Sequence, residues 1–214
     1  MDSIQNTFKY ISSHSEQYIS AILRHLAIYA LVLVIVVLIA VPLGYLCTKA
    51  RKIAAPVQNI TYFFRIIPSL ALFFALLPIM GIGVGVAVTA LVLSSIPTVL
   101  INSIAAFNTV DPLVIECAKA MGMKKTEIVR EIEVPLSLPV MLGGIRIVTI
   151  EIIAGTTIAA YVGAGGLGSF IVSGLSQYRT EVLLTGAATV ALISIIFDIL
   201  LSIWQHRMVK KQTE

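Results

Sequence analysis

The sequence predicts an all-α membrane protein with five transmembrane helices, its N-terminus outside the cell and its C-terminus in the cytoplasm. Three observations lead to this fold class: an apolar composition, five apolar segments long enough to span a bilayer, and basic residues concentrated in alternate loops. Of the 214 residues, 58% are hydrophobic and only 12% are charged, whereas soluble domains are about 45–50% apolar and about 25% charged. A core of this size could not bury so much apolar surface, so a lipid bilayer is the expected solvent.

The other bulk properties exclude several classes of function. The net charge is +4 and the pI is about 9.1. However, the basic residues lie in loops beside apolar spans, which indicates membrane topology rather than nucleic-acid binding. The two cysteines, Cys47 and Cys117, are too few for a disulfide framework and are not spaced as metal ligands. We therefore expect no nucleic-acid partner and no metal site.

The segment before the first span, residues 1–24, is expected to lie outside the cytoplasm. Its apolar residues recur at roughly helical spacing among Ser, Gln and Asn: Ile4, Phe8, Ile11, Tyr18 and Ile22. Such a stripe predicts a short helix that lies in the membrane interface. A disordered tail is the alternative.

The membrane domain is expected to cover residues 25–205, with a cytoplasmic tail at 206–214. A hydrocarbon core of about 30 Å requires about 20 apolar residues in a helix. Five segments meet this requirement: residues 26–47, 60–80, 84–107, 140–162 and 182–204. Because only Gly81 to Gly83 separate the second segment from the third, those two helices are expected to be antiparallel neighbours.

The distribution of Lys and Arg sets the orientation, because cytoplasmic loops carry an excess of basic residues. Ten basic residues follow the first, third and fifth spans: Lys49, Arg51, Lys52, Lys119, Lys124, Lys125, Arg130, Arg207, Lys210 and Lys211. Three lie on the opposite side: Lys9, Arg24 and Arg179. The loop at 108–138 and the C-terminus are therefore expected in the cytoplasm.

Prolines interrupt the second to fourth spans at five positions: Pro68, Pro78, Pro97, Pro135 and Pro139. Proline removes a backbone donor and kinks a helix. In lipid, such breaks persist only where protein or a water-filled cavity satisfies the freed groups. We therefore expect the broken helices to line a pathway and the first span to be a peripheral brace.

Local signals predict two short helices in the polar loop at 108–138. Asp111 is placed as an N-cap and Pro112 at the first helical position. Gly122 is placed to end this helix in a left-handed conformation. A second amphipathic stretch covers residues 125–133, with Thr126 as a candidate cap, and Pro135 returns the chain to the membrane.

The spacing in this loop resembles the EAA signature of bacterial ABC importer permeases: Glu-Ala-Ala, three residues, Gly, nine residues, Ile, one residue, Leu-Pro. The residues in register are Glu116, Cys117, Ala118, Gly122, Ile132 and Pro135. Cys117 replaces the first alanine and Val134 the leucine. The resemblance implies that the first short helix is a coupling helix, which sits in a groove of an ATP-hydrolysing subunit. Ala118 and Ala120 are small residues that would permit that subunit to approach closely. A loop that is merely solvated and basic is the alternative.

Further segments resemble the permeases of osmoprotectant importers, the glycine betaine, carnitine and choline systems: residues 40–44, 67–72, 81–83, 110–112 and 160–168. The resemblance covers about residues 26–200. It implies the fold of methionine-importer (MetI-like) permeases and a second permease copy or paralogue. It also implies ATP-binding subunits, which hold the ATP and Mg, and an extracytoplasmic substrate-binding protein. No cofactor bound by this chain is expected.

Charged residues within the predicted spans include Arg65, Arg146, Glu151 and Asp198. A charge at mid-bilayer costs about 2.5–3.5 kcal/mol on insertion scales, so each should face the bundle or a cavity. Glu151 either meets the cationic head of a substrate or pairs with Arg65 or Arg146 to hold helices together. Tyr161 offers a cation–π face, with ordinary packing as the alternative. The candidate pathway or helix-pairing residues are Arg65, Pro68, Glu151, Tyr161 and Asp198.

Four glycines formally fit the dinucleotide-binding pattern G-x-G-x-x-G: Gly163, Gly165, Gly166 and Gly168. They follow a transmembrane span rather than a strand, which excludes that interpretation. A flexible turn into a short outer helix over residues 169–175 is expected instead. This turn is a candidate outer gate or contact for the binding protein.

The sequence carries no Walker lysine motif and no Ser/His/Asp arrangement, so the chain is not expected to be an enzyme. A permease for another small solute, such as methionine, is the alternative within the class, because the EAA loop is shared across substrates. An ion-coupled secondary carrier with Glu151 and Asp198 as its ion relay is the alternative from another class. The inverted repeats expected of many such carriers are not evident.

Overall fold

The computed structural model describes the backbone of residues 2–213 and the side chains of residues 5–50 and 52–210. Within these residues every regular element is a helix, as predicted. The helices are α1 (Asp2–Ser13), α2 (Ser15–Lys49), α3 (Arg51–Ile66), α4 (Ser69–Met80), α5 (Val84–Asn108), α6 (Pro112–Ala120), α7 (Lys125–Ile128), α8 (Val134–Ile158), α9 (Gly168–Ser176) and α10 (Thr180–Thr213). A π turn, Val129–Glu133, joins α7 to α8, and a 3-10 turn, Ala159–Val162, follows α8.

Four continuous helical segments in the described part of the chain are long and apolar enough to cross a membrane. They are α2, α5, the segment Lys125–Val162 and the segment Thr180–Lys210. The pair α3 and α4 also passes this test but bends by 96° at its break, so the number of spans is four, or five if the pair counts as one. The second predicted span is therefore two helices rather than one continuous one.

Pro68 lies at this break. Ile67, the residue before it, has an extended backbone with φ −71° and ψ 121°, the conformation that a following proline imposes. Pro78, Pro97 and Pro139 instead lie inside the continuous helices α4, α5 and α8. The prediction that prolines break the second to fourth spans is correct at Pro68 and wrong at these three positions.

The apolar core lies between α2, α5 and α8, which pack against one another. Val32, Val36 and Ala40 of α2 are fully buried, together with Leu100 of α5 and Val148 of α8. The first span is therefore a central element, and its interpretation as a peripheral brace is wrong. The sequence of this span, which includes Pro42 inside a continuous helix, carried no information about its neighbours.

Small residues allow these helices to approach closely. A Cβ atom built on Gly44 of α2 would lie 2.6 Å from the Ser103 Cβ of α5, and one on Gly144 of α8 would clash with the Asn102 side chain. Membrane helices associate through such packing rather than through the hydrophobic effect. The two crossings fix the spacing of α5 against both of its neighbours.

The ends of the chain differ from their predicted boundaries. Residues 1–24 were expected to form one short helix, but the chain breaks near His14, and α2 runs from Ser15 into the first span. The Tyr18 hydroxyl lies 2.8 Å from the Thr189 hydroxyl of α10, so this extension packs on the bundle. Residues 206–213 continue α10 as helix. Met1 and Glu214, the outermost residues of the two predicted terminal segments, lie outside the described residues.

Candidate functional site

The first helix of the polar loop has the predicted caps. Asp111 accepts a 2.8 Å hydrogen bond from the Leu113 amide at the N-terminus of α6. At the C-terminus, Gly122 has φ +83°, its amide bonds to the Lys119 carbonyl at 3.0 Å, and the Met123 amide bonds to the Ala118 carbonyl at 3.2 Å. This pair of bonds is a Schellman motif, which satisfies the last carbonyls of a helix.

The signature residues differ in their exposure. Glu116, Cys117, Gly122 and Pro135 are exposed and Ile132 is partly buried, but Ala118 is fully buried within the chain itself. The expectation that Ala118 lets another protein approach closely is therefore wrong, because its methyl group packs internally. A small residue is required there by the fold of the loop.

Sequence reasoning missed the apolar surface that α6 presents. Leu113 is 63% exposed and Met121 is 74% exposed, and Val114 is also exposed. These side chains lie in the loop at the end of the bundle that carries Lys49, Lys119 and Lys125. Their apolar character in a nine-residue capped helix was readable from the sequence, but their exposure was not.

The second predicted helix of the loop is not a separate element. The segment Lys125–Val162 is one continuous helix of 38 residues, which includes the π turn Val129–Glu133. The Glu127 carboxylate, rather than Thr126, caps its start by accepting a 2.8 Å bond from the Lys124 amide. Pro135 lies in the first turn of α8, the helix that leads from the loop into the fourth predicted span.

The π turn carries a buried carboxylate. Glu133 is 4% exposed. It accepts a 2.9 Å hydrogen bond from the Tyr45 hydroxyl and forms an ion pair with Lys49, both near the end of α2. Next to this cluster is a cavity of about 320 Å³ that reaches Ile115 and Lys119 of α6. The cluster thus joins the polar loop to two membrane helices.

A second cavity, of about 440 Å³, lies between the break at Pro68 and helices α5 and α8. It brings together three of the predicted pathway residues, Arg65, Pro68 and Glu151. Glu151 accepts a 2.9 Å hydrogen bond from the Thr98 hydroxyl of α5. The wall of the cavity also includes polar and apolar side chains: Ser69, Ser94 and Ser95 are polar, and Ile67, Leu91 and Ile158 are apolar.

The helical rise gives the depth of this cavity. The amide of Gly83 donates a 2.8 Å bond to the Val162 carbonyl, so the α4–α5 turn and the end of α8 share one end of the bundle. At 1.5 Å per residue, Glu151 lies about 16 Å along the helix from that end. Because a hydrocarbon core is about 30 Å thick, the cavity lies near the middle of the bundle.

The other candidate pathway residues lie elsewhere. Arg146 pairs with Asp198 of α10, with a 2.7 Å bond between Nη2 and Oδ2. Among the described residues, neither Arg65 nor Arg146 forms an ion pair with Glu151, so the partners predicted for Glu151 are wrong, and its carboxylate joins α8 to α5 through Thr98 instead. Tyr161 is 52% exposed and does not line the cavity.

The glycine-rich segment is packed rather than free. Gly163, Gly165 and Gly166 have φ values of +77°, +80° and +74°, which favour glycine. A Cβ on Gly165 would crowd Arg24, and one on Gly166 would crowd His25, both of α2. Gly168 begins α9, and a Cβ atom at this position would clash with the Thr157 carbonyl. The expected short helix after the turn is present, but the turn itself, which was expected to be flexible, is tightly packed.

Comparisons with known proteins bear on the same residues. Residues 40–213 match a family described as binding-protein-dependent transport system inner membrane component. The choline transport system permease protein OpuBB of Bacillus subtilis is 34% identical over 86% of this chain and 85% of the relative. The carnitine transport permease protein OpuCD of Listeria monocytogenes is 34% identical over 97% and 93%. The osmoprotectant import permease protein OsmW of Salmonella typhimurium is 34% identical over 95% of each.

Solved structures show the same fold. An inward-facing MetNI methionine ABC transporter matches with a TM-score of 0.83 at 21% identity, over 92% of this chain and 98% of that chain. An amino acid ABC transporter crystallised with histidines matches with a TM-score of 0.77 at 22% identity, over 94% and 98%. At these identities the likeness concerns the path of the backbone.

Proposed function

This chain belongs to the family of binding-protein-dependent transport system inner membrane components, and on that premise we propose that it is the permease subunit of an ATP-driven importer for osmoprotectants of the quaternary ammonium type. Glycine betaine, carnitine and choline are the solutes proposed. One observation carries the proposal: 34% identity over nearly the full length of permeases that are named for choline, carnitine or osmoprotectant transport. A methionine importer is less well supported, because the methionine transporter is only 21% identical.

We place the N-terminus outside and the C-terminus in the cytoplasm, with five spans. Lys49 pairs with Glu133 at one end of the bundle, and Gly83 bonds to Val162 at the other. The broken pair α3 and α4 connects these two ends, so it crosses the membrane once. The end with Lys49, Lys119 and Lys125 is the more basic one, which supports its cytoplasmic location.

The energy for transport would come from ATP-binding subunits at the cytoplasmic face. The exposed apolar residues of α6, Leu113 and Met121, together with Glu116, form the surface that would enter a groove of such a subunit. This chain would bind no ATP or Mg itself. The packed glycine segment at the opposite end would be the outer gate, or the contact for an extracytoplasmic substrate-binding protein.

A second permease, either a copy or a paralogue, would complete the pathway. One face of α8 is exposed along its length and includes Ile147, Ile150, Glu151 and Ala154. A carboxylate that faces lipid is costly, so this face requires cover by another protein or a water-filled pathway. Two permeases that enclose the mid-membrane cavities would provide both.

The test is uptake by the assembled complex in lipid vesicles. We expect an ATPase to co-purify in mild detergent, and we expect uptake of labelled glycine betaine, carnitine or choline that requires ATP and the binding protein. ATP-dependent uptake of methionine alone would reject the solute class. Solute uptake driven by an ion gradient without ATP would establish the secondary-carrier alternative instead.

A further inference from the structure

We propose that the mid-membrane cavity is a subsite for a zwitterion, in which Arg65 binds the carboxylate of the solute and Glu151 faces its quaternary ammonium group. The proposal rests on the function proposed above, because that function supplies the class of solute. It adds that the permease itself discriminates among osmoprotectants, by a requirement for a carboxylate.

The size and walls of the cavity suit a small organic ion. Its volume of about 440 Å³ lies within the range of about 300–1,000 Å³ that is usual for small-molecule sites. The walls are mixed: serine and threonine hydroxyls alternate with the apolar side chains of Leu91 and Ile158. Few polar groups among apolar ones is the usual arrangement for orienting a ligand.

Neither charge in the cavity belongs to an ion pair of the described residues, and the bonding partner of Glu151 is the neutral Thr98 hydroxyl of α5. The ion pairs among the described residues are Lys49–Glu133, Arg146–Asp198 and Arg179–Glu181, so neither Arg65 nor Glu151 belongs to one. Their charged atoms are more than 4.0 Å apart although they line the same space. A separated positive and negative charge across one cavity is the complement of a dipolar ligand.

The chemistry of each side chain fits one end of such a ligand. A guanidinium offers parallel N–H donors that match a carboxylate, and the resulting bonds are charge-assisted. Arg65 is close to Ser69, the first residue of α4, and both line the cavity. The positive end of the α4 dipole therefore adds to the attraction for a carboxylate.

The cationic end of the ligand requires no hydrogen-bond acceptor, because a quaternary ammonium group has no N–H donor. It requires a negative potential, which the Glu151 carboxylate supplies, and an apolar or aromatic surface, which the Phe64 ring supplies in this cavity. An aromatic face attracts such cations. The Thr98 hydroxyl holds the carboxylate in place by its 2.9 Å bond.

This arrangement predicts a preference between solutes. Glycine betaine and carnitine carry both charges, whereas choline carries only the cation. Choline would leave Arg65 without a partner and would place two like charges in one cavity, which disfavours it. The subsite should therefore favour solutes that have a carboxylate.

The test compares the uptake of glycine betaine with that of choline by the complete complex in vesicles. Arg65→Gln should lower the betaine-to-choline ratio about tenfold relative to wild type, the scale of one charge-assisted hydrogen bond. Glu151→Gln should lower uptake of both solutes about tenfold and leave the ratio within about twofold, because both share the cation. Arg207→Gln and Glu16→Gln remove exposed charges outside the cavity and should change neither quantity.

The betaine-to-choline uptake ratio is measured within one preparation, so a loss of folded complex lowers both rates equally and leaves the ratio unchanged. The selectivity of the binding protein is the same in wild type and variant, so it cancels when the two ratios are compared. An unchanged ratio in Arg65→Gln overturns the subsite while leaving the proposed function intact. A wild-type complex that transports choline but neither glycine betaine nor carnitine also overturns the subsite. If Arg65 and Glu151 only hold helices together, the exchange Arg65→Glu with Glu151→Arg should restore the ratio, and this result would also overturn it. A wild-type complex without ATP-dependent uptake of any of these solutes rejects the proposed function itself.

Discussion

The Tyr45 hydroxyl at the end of α2 donates a 2.9 Å hydrogen bond to the Glu133 carboxylate in the π turn below α8. Lys49, one turn further along α2, pairs with the same carboxylate. Glu133 is almost completely buried, and these two partners satisfy its carboxylate. The cluster ties the first span to the element through which the polar loop leads into α8, so we expect movement of the loop to reach α2 through it.

Tyr45→Phe should weaken this connection. The variant leaves a buried carboxylate with one partner fewer, and a hydrogen bond to a charged group contributes about 1.5–3 kcal/mol. We expect a lower unfolding temperature of the purified complex and more ATP hydrolysed per solute transported. Tyr62→Phe removes a hydroxyl from a half-exposed tyrosine and serves as the control. Equal stability and coupling in the two variants would show that the bond has no such role.

Leu113→Asp and Met121→Asp should reduce the recovery of the ATPase with the permease. Both residues are more than half exposed on α6, and a charge there would have to be desolvated in the partner's groove. Immunoblots of the detergent-extracted complex measure the effect. Phe8→Asp, at an equally exposed apolar residue of α1, should leave recovery unchanged. Full recovery with both α6 variants would place the docking surface elsewhere.

Glu116→Lys and Gly122→Val should preserve membrane insertion but uncouple ATP hydrolysis from uptake. The first reverses a charge on the exposed face of α6, and the second strains a left-handed position, at a cost of about 1–2 kcal/mol, so that the end of α6 shifts. Membrane-fraction yield, ATPase rate and uptake are measured together. Glu131→Lys makes the same charge reversal at an exposed position whose residue the signature does not specify. Normal uptake by both variants would contradict the assignment of a coupling helix.

The Arg146–Asp198 pair should behave as a unit. Removal of one partner leaves an unpaired charge between α8 and α10, so Arg146→Gln and Asp198→Asn should each lower the unfolding temperature and the yield of the complex. The double variant should regain most of the loss, since it leaves no unpaired charge. Such recovery, together with retained uptake, would also exclude Asp198 as an ion relay. Additive losses would instead point to separate roles.

Gly168→Ala should destabilise the protein by about 1–3 kcal/mol, the usual cost of overpacking. The added methyl group would meet the Thr157 carbonyl, a backbone atom that has no rotamer to change. Gly85→Ala adds the same methyl group to a position with open space around it and should be neutral or slightly stabilising. Thermal unfolding of the detergent-solubilised complex distinguishes the two. Equal stability would mean that the start of α9 can shift freely.

Several structural features follow from local sequence signals. The cap at Asp111, the left-handed Gly122 and the short helix that begins at Gly168 each depend on a few consecutive residues, and each is confirmed. The predictions that the structure contradicts have a common cause. Pro97 and Pro139 are buried inside continuous helices, where surrounding protein can satisfy the carbonyls that a proline leaves free, and such neighbours cannot be read from a local pattern.

The sequence by itself determined that this protein is an all-helical membrane protein, where its apolar segments lie and where its polar loop is capped. These properties depend on composition, periodicity and short-range backbone preferences, which adjacent residues carry. Only the tertiary structure decided that α2 is central, that Arg146 pairs with Asp198, and that Arg65 and Glu151 share a cavity without pairing. Residues 65 and 151 lie 86 positions apart in the chain, and their proximity results from how α3, α5 and α8 pack.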